Sequence, residues 1–304
     1  AATRVPAAPW SLMVGVPRGP PMRQQAPSLR RPDPFAPTNA LTAPFSMDAK
    51  FKAWPLLNDD QLQRSVGVTR RSRLQMGGAM DDLFRGETLQ ARFSRALAIR
   101  RAVDRKEFFE AWEFFARSRG SLQSCPSSSC SAHSTLVDLA GGHGLVAALF
   151  AVFEHKRFET ILVLDAKIPK SFGAVFDAAT EVAPWVAQNL DYQERFVDDE
   201  TALPDGCAVT CLHGCNTLTD TAIRISARAR ANTLAVMPCC YAQTAEGAPI
   251  ALRRSLGVSV AADIHRTYEL ERLGYTVNWR SIPSQITPMN RLLLGRKDTS
   301  SALR

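Results

Sequence analysis

The spacing of apolar residues along the chain changes character near residue 134. Before it, between residues 81 and 119, large apolar side chains recur at steps of three to five, the spacing of one face of an α-helix. These side chains are Leu89, Phe93, Leu97, Phe108, Trp112 and Phe115. After residue 134, short β-branched and apolar runs alternate with helical patterns, which is typical of a parallel sheet covered by helices on both faces. We therefore predict an α/β domain preceded by a cap of two helices.

Seven strands are predicted from the short apolar runs. They are Thr135–Leu139, Thr160–Asp165, 190–197, 207–213, Thr233–Met237, Tyr275–Ser281 and 290–295. The helical patterns between and after them cover 144–155, 170–183, 217–230 and 259–273. A loop with two prolines, Pro283 and Pro288, joins the last two strands, so we expect an antiparallel hairpin at the end of the sheet.

A strand, a glycine turn and a helix follow one another between residues 134 and 147. The turn contains Gly141, Gly142 and Gly144, which permit positive φ angles and a close approach of a ligand to the main chain. Such a βα unit binds nucleotides, because the free N–H groups of the helix point at a ligand over the turn. Dinucleotides and cationic nucleosides such as S-adenosylmethionine both fit this description.

Asp138 helps to separate these two ligand classes. The dinucleotide pattern G-x-G-x-x-G/A fits Gly142 to Ala147, and Asp165 follows at the distance that this pattern requires. Asp138, however, lies inside the strand just before the turn, where a carboxylate would repel a pyrophosphate. The same carboxylate suits the amino group and the sulfonium of S-adenosylmethionine. Asp165 ends the second strand, where a carboxylate can accept both hydroxyls of a ribose.

The run from Asp138 to Gly144 resembles the first motif of the class I S-adenosylmethionine-dependent methyltransferases, D/E-x-G-x-G-x-G. Ala140 replaces the first glycine of that motif. In this family an acidic residue also ends the second strand, as Asp165 does here. The resemblance implies that S-adenosylmethionine is the cofactor, and the residues that we predict to bind it are Asp138, Ala140, Gly141, Gly142, Gly144, Asp165, Ala166 and His213.

His213 and Asn216 follow the fourth predicted strand. In open α/β sheets the ligand lies beyond the carboxyl ends of the strands, beside the topological switch point. We therefore expect both residues near the sulfonium, with His213 as proton acceptor if the methyl acceptor is a nitrogen or an oxygen. Thr217 and Asp220 have the spacing of a capping box, so they serve either the ligand site or helix initiation. Asp198 or Asp199, after the third strand, is placed to meet an adenine amino group.

Pro238-Cys-Cys-Tyr241 follows the fifth strand and faces the same crevice. Cys239 or Cys240 as a nucleophile, as in cytosine-5 methyltransferases, is one hypothesis, but no neighbouring base to lower a thiol pKa is evident. The other is that the cysteines shape the acceptor pocket, with Tyr241 as a lid or stacking platform. The residues assigned to catalysis are His213, Asn216, Cys239 and Tyr241. Because Cys125, Cys130 and His133 lack a second ligand pair at a standard distance, no metal site is predicted.

Three segments in order resemble the methyltransferase 32-like group of methyltransferase domains. They are the run from His213 to Asp220, the run from Val236 to Tyr241, and the run Thr287-Pro-Met-Asn-Arg291. The resemblance spans residues 134 to 297. It implies a Rossmann-like sheet of strand order 3-2-1-4-5-7-6 with an antiparallel seventh strand, whereas nicotinamide-binding folds lack the closing hairpin.

Composition adds the expected partner and location. The chain has 304 residues and a net charge of +8, which favours acidic partners, nucleic acid first. About half of that excess lies in residues 1–46, a proline- and arginine-rich, acid-poor segment of the kind found in chloroplast or mitochondrial transit peptides. We predict this segment, a helical cap (47–120), a Ser-rich linker (121–133) and a methyltransferase domain (134–304). The longest apolar run is too short to span a membrane, so we expect a soluble protein.

The predicted function is methyl transfer from S-adenosylmethionine to an acceptor that the sequence does not identify, with RNA favoured over a small molecule or a protein. Two alternatives stay open. One is a catalytically inactive methyltransferase-like assembly factor, and the other is a NAD-dependent oxidoreductase.

Overall fold

A computed structural model describes residues 49–58, 83–122, 134–241 and 247–298. All of these residues lie in one compact unit, Pro37–Arg304. The transit-like segment 1–46 and most of the Ser-rich linker, with Cys125, Cys130 and His133, lie outside the described residues. The organelle prediction and the exact segment borders therefore stay predictions.

Seven strands form one mixed sheet in the order β3-β2-β1-β4-β5-β7-β6. The first five strands run parallel, and β7 pairs antiparallel with both β5 and β6. The predicted fold class, strand order and reversed seventh strand are thus confirmed. The strands are β1 (Thr135–Leu139), β2 (Thr160–Asp165), β3 (Leu190–Glu194), β4 (Ala208–Leu212), β5 (Thr233–Met237), β6 (Tyr275–Ser281) and β7 (Arg291–Lys297).

Eight α-helices and one 3₁₀ helix, Pro55–Asn58, occur in the part of the chain that the structure describes. The α-helices are α1 (Leu89–Arg100), α2 (Arg105–Ser118), α3 (Leu145–Phe153), α4 (Lys170–Val182), α5 (Val186–Asn189), α6 (Leu218–Arg228), α7 (Ile250–Leu256) and α8 (Val258–Arg272). Across the described ranges, none of the helices has the length and apolar character needed to cross a bilayer.

The structure differs from the sequence prediction in several element bounds. Strand β3 ends at Glu194, three residues before the predicted end. Arg195 follows it, and its N–H still donates to the Asp165 carbonyl of β2 at 2.7 Å. Helices α5 and α7 were not predicted; both are too short to show a helical period. The bounds of β1, β2, β5 and β6 agree with the prediction.

The cap helices and helix α3 share one hydrophobic core. The rings of Phe115 and Phe150 meet edge to face with centroids 4.9 Å apart, and those of Trp112 and Phe153 lie 5.4 Å apart. All four belong to, or pack against, the same cluster that covers one face of the sheet. Edge-to-face pairs of this kind contribute about 0.5–1.5 kcal/mol each beyond burial of their surface. The cap is therefore fixed to the helix that follows the glycine turn.

A buried carboxylate joins the segment 49–58 to the cap. Glu113 of α2 accepts the backbone N–H groups of Lys52 and Ala53 at 2.9 and 2.7 Å, and it also pairs with Arg117. Because a buried carboxylate is costly unless several donors satisfy it, this contact fixes where the segment crosses the helix.

Candidate functional site

The glycine turn stands at the switch point of the sheet, where β1 lies between β2 and β4. Asp138 of β1 is aligned with Thr210 of β4, and the Thr210 hydroxyl donates to Asp138 Oδ1 at 2.7 Å. Asp138 is only 1% exposed, and its Oδ2 has no hydrogen-bond partner among the described residues. A buried polar atom without a partner is unfavourable, so the site is suited to a donor that the protein itself does not supply.

Burial also changes the titration of Asp138. Loss of solvation raises the pKa of this carboxyl from 3.8 to about 7; the Thr210 hydroxyl and the backbone N–H of Ala147 oppose this rise, whereas the nearby charge of Asp165 adds to it. A positive group beside Oδ2 would favour the ionised form. The pocket under the turn is therefore electrostatically matched to a cation.

The turn above Asp138 is tightly packed. A Cβ on Gly141 would lie 2.6 Å from Val163 Cγ1 and 2.8 Å from Asp138 Oδ2, so only glycine fits there. Ala140 adopts a φ of +53°, a conformation in which a glycine is unstrained and an alanine is not. The Tyr192 hydroxyl of β3 donates to the Gly142 carbonyl at 2.8 Å and supports the turn from the outside.

Asp165 reaches the turn from the end of β2, where its Oδ2 accepts the Gly142 N–H at 2.9 Å. It borders an open cavity of about 370 Å³ that extends between the ends of β2 and β3 and the start of α6. Of the residues singled out from the sequence, this cavity is lined by Ala140, Asp165, Ala166, Asp198, Asp199, Asn216 and Thr217. The other residues predicted to bind the cofactor do not line it; they are Asp138, Gly141, Gly142, Gly144 and His213. Phe196, missed in the sequence, lines it as well and is 72% exposed.

His213 lies just beyond the end of β4 and is held from two sides. Its N–H donates to the Met237 carbonyl of β5 at 3.0 Å, and its φ is +65°, a strained value for histidine. Its Nε2 lies 3.0 Å from Oε2 of Glu110, a fully buried carboxylate on cap helix α2. The Lys106 ammonium binds the other oxygen of Glu110 at 2.5 Å.

The sequence analysis did not identify Glu110 as a site residue, although its position in an aromatic-rich helix indicated that it is buried. It stands in a helix with aromatic side chains on all sides, so its carboxylate has to be buried. Burial acts to raise the pKa of Glu110, but His213 and Lys106 together hold it below the ordinary value of 4.5. The carboxylate is therefore ionised at neutral pH and orients the imidazole.

The loops after β4 and β5 bring three cysteines together. The Sγ atoms of Cys215 and Cys239 lie 3.2 Å apart, and those of Cys239 and Cys240 lie 3.5 Å apart. Burial and the neighbouring sulfurs raise the pKa of the Cys239 thiol well above its ordinary value. The hypothesis of a nucleophilic Cys239 thus lacks the low pKa that a thiolate nucleophile needs.

Tyr241 and Asp220 belong to a second network. The Tyr241 hydroxyl donates to Asp263 Oδ2 at 2.7 Å, and the Nε of Arg291 donates to the same oxygen at 2.8 Å. Arg266 binds Asp220 through two nitrogens at 2.7 and 2.9 Å. The structure therefore places the Tyr241 hydroxyl in a buried ionic cluster, where it is held in place rather than free to close over a ligand.

The capping-box interpretation of Thr217 and Asp220 is wrong. Thr217 precedes helix α6 with φ −79° and ψ −10°, a helical conformation, and makes no side-chain hydrogen bond to the helix start. An N-cap needs an extended conformation to direct its oxygen at the free N–H groups. The Asp220 carboxylate is instead bound by Arg266.

Several solved structures are similar to the chain at low identity. A ribosomal-RNA methylase from Streptococcus thermophilus is 14% identical over 64% of this chain and 98% of its own, with a TM-score of 0.39. An O-methyltransferase family protein from Burkholderia thailandensis is 14% identical over 81% and 68%, with a TM-score of 0.35. Magnesium protoporphyrin IX methyltransferase from Synechocystis PCC 6803, solved with bound S-adenosylhomocysteine, is 12% identical over 70% and 89%, with a TM-score of 0.34.

A search of curated proteins found no match to the chain. A family model does match: residues 114–247 fit the model of the methyltransferase 32 family, described as a methyltransferase domain. The matched segment runs from the end of α2 past β5, and so contains the glycine turn, Asp165, His213 and the three cysteines. The resemblance read from the sequence is confirmed: this segment of the chain matches a methyltransferase domain.

Proposed function

We propose that the chain transfers a methyl group from S-adenosylmethionine to an acceptor bound beside His213. The observation that carries the proposal is Asp138, a buried carboxylate whose Oδ2 lacks a partner directly under a turn that admits only glycine at position 141. When bound, S-adenosylmethionine supplies an electrophilic methyl group on a positively charged sulfur.

The residues around the cavity fit the parts of this cofactor. Asp138 and the N–H groups of the turn suit the amino acid portion, since the carboxylate attracts an ammonium and the start of α3 attracts a carboxylate. Asp165 lines the cavity with its carboxylate and suits the ribose hydroxyls. Phe196 offers an exposed aromatic face in the same cavity, which suits the adenine ring.

On the acceptor side, the chain's own residues position a base. His213 Nε2 lies 3.0 Å from Oε2 of Glu110, within ion-pair distance. The other ring nitrogen, Nδ1, is then the atom left to take a proton from a nitrogen or oxygen acceptor. Glu110 acts as a positioning residue, since it acts through His213. Orientation of the acceptor and exclusion of water supply the remaining rate enhancement.

We propose RNA as the acceptor class. Support comes from the net charge of +8, about half of which lies outside the segment 1–46, because an excess of positive charge favours a polyanion. A labelled-methyl assay with total organellar RNA, with and without ribonuclease treatment, tests this step. Label that ribonuclease treatment does not remove would show that the acceptor is a protein or a small molecule. If the chain binds the cofactor but transfers no methyl group to any of these fractions, the proposed enzymatic activity is contradicted and the assembly-factor alternative is favoured.

Cofactor binding is tested by thermal melting of the full chain, because a ligand raises stability only if it binds the native state. We expect S-adenosylhomocysteine to raise the melting temperature of the wild type and NAD to leave it unchanged. Asp165→Ala should lose the shift. Asp191→Ala, which removes an exposed carboxylate from neighbouring strand β3, should keep it. A shift with NAD alone would overturn the proposal in favour of an oxidoreductase.

A further inference from the structure

The loops that follow β4 and β5 form a pocket of three thiols, made by Cys215, Cys239 and Cys240. Their sulfur atoms all lie within 4.8 Å of one another. Four-coordinate zinc binds thiolates at about 2.3 Å, which separates the sulfurs of a tetrahedral site by about 3.8 Å. The separations of 3.2 and 3.5 Å between neighbouring sulfurs are close to that value and need only a small expansion.

The backbone fixes this arrangement independently of the thiols. Leu212 and Met237 are paired in the parallel ladder, and the His213 N–H donates to the Met237 carbonyl, so both loops leave the sheet together. Asn216 has a φ of +55°, the second left-handed residue in this loop after His213. A Cβ on Gly214 would lie 2.7 Å from Thr219 Oγ1, so the loop cannot accept a larger residue there. Such strained and close-packed loops are typical of functional sites.

The surroundings favour thiolates once a cation is present. Cys215 lies three residues before the start of helix α6, and its carbonyl accepts the Leu218 N–H at 3.0 Å, so this residue lies at the positive end of that helix. A divalent ion bound there would deprotonate the thiols that bind it.

We propose that Cys215, Cys239 and Cys240 bind a thiophilic divalent cation, Zn²⁺, through three thiolates. Among the described residues no histidine or carboxylate completes the set, so the fourth position takes an exchangeable ligand such as water. Cys215 and Cys240 are exposed, and Cys215 lines the cavity that holds Asp165. The ion would therefore stand at the border of that cavity with an open position, the arrangement of a Lewis acid rather than of a closed structural site.

The proposed site differs from the sequence analysis, which predicted no metal site and considered only Cys125, Cys130 and His133 as ligands. The three ligands were missed because Cys215 and the pair at 239–240 lie in loops that follow different strands. Only the parallel pairing of β4 and β5 brings them together. Metal binding does not depend on methyl transfer and can be measured without an acceptor.

The test is metal analysis of the full chain, purified with a non-thiol reductant and no chelator. We expect one zinc per chain in the wild type. The triple variant C215S/C239S/C240S should contain none. Two controls should keep the ion: Cys207→Ala, which removes a buried cysteine at the start of β4, and C125S/C130S, which removes the other candidate thiols. Zinc retained by the triple variant, or lost from C125S/C130S, would overturn the proposal.

A second measurement keeps the test independent of how well the triple variant folds. Reduced wild-type protein, stripped of metal and titrated with Co²⁺, should develop the strong near-ultraviolet sulfur-to-cobalt absorption that three thiolates produce. The single exposed variant Cys240→Ser should weaken this band. Absence of the band in reduced wild type, or a Cys215–Cys239 disulfide found by mass spectrometry in protein that cannot take up zinc after reduction, would refute the metal site.

Discussion

Nε2 of His213, in the loop after β4, lies 3.0 Å from Oε2 of Glu110, on cap helix α2. The side chain assigned as proton acceptor is therefore oriented by a carboxylate from outside the sheet. Glu110 is fully buried, so water does not compete for the contact. The cap thus contributes directly to the site and is more than a cover for the apolar face of the sheet.

Glu110→Gln should destabilise the protein by about 1–3 kcal/mol at pH 7, because it leaves His213 and Lys106 without their charged partner. The native pKa of Glu110 is lowered, so its stabilising effect is complete above the unfolded value near 4.5 and is lost as the pH falls through the native pKa. The difference in unfolding free energy between wild type and variant should therefore shrink below about pH 4.5.

Denaturant titrations from pH 3 to 7 measure this difference. Glu181→Gln is a suitable control, since Glu181 pairs with Arg100 but is 54% exposed, and its loss should cost less than about 1 kcal/mol. A pH-independent difference for Glu110→Gln would show that the carboxylate is protonated in the native state. Methyl transfer should fall with the variant while the melting shift by S-adenosylhomocysteine persists.

Asp138→Asn should change how stability depends on pH in the opposite sense. The native pKa of Asp138 is raised to about 7, so its protonated form stabilises the protein below pH 3.8, and this contribution is lost as the pH rises through 7. The wild type should lose up to about 1.4 kcal/mol per pH unit across that interval relative to the variant. Unfolding titrations at pH 5, 6, 7 and 8 compare the two, with Asp191→Asn as the exposed control.

The same variant separates stability from binding. Asp138→Asn should be at least as stable as wild type at pH 8, and yet it should lose most of the melting shift with S-adenosylhomocysteine, because the amide cannot neutralise an ammonium. An unchanged shift would show that Asp138 has only a structural role under the turn.

Gly141→Ala should destabilise the protein by about 1–3 kcal/mol, since its methyl group would overlap Val163 and the Asp138 carboxylate. Gly173→Ala is the matched control: Gly173 lies inside helix α4, and a Cβ there meets nothing within 4 Å. That control should gain about 0.5–1 kcal/mol, because alanine is the better helix former. Equal effects of the two substitutions on thermal melting would argue against a close-packed turn.

Ala140→Gly should stabilise the protein or leave it unchanged. Ala140 has a φ of +53°, which costs an alanine about 1–2 kcal/mol and a glycine almost nothing, and the larger entropy of unfolded glycine offsets part of the gain. Glycine also restores the residue that the methyltransferase motif usually has there. Calorimetry gives the change in stability, and a loss greater than about 1 kcal/mol would contradict the left-handed conformation.

The sequence was sufficient for much of the fold. The central strands and the glycine turn are local patterns, and β1, β2 and β5 have the predicted bounds because each is a short β-branched and apolar run that is mostly buried. The strand order came from the family resemblance. Periodicity alone does not give the order of strands in a sheet.

The parts of the site that escaped prediction are contacts between distant segments. Glu110 of the cap forms an ion pair with His213 of the sheet domain. Arg266 of α8 binds the carboxylate of Asp220, a residue whose spacing from Thr217 had suggested a helix cap. Short-range rules describe neighbours along one helix or strand. They do not show which charged groups tertiary packing brings into a common buried environment, so these partners required coordinates.

Cap helix α2 and helix α3 of the methyltransferase domain share one hydrophobic core. Phe115 and Trp112 of α2 pack on Phe150 and Phe153 of α3, and all four lose contact with their partners if the chain is divided between residues 122 and 134. A fragment that starts at residue 134 would expose an aromatic face to water and would aggregate rather than serve as a minimal enzyme. Shortened versions intended for crystallisation should accordingly keep both cap helices.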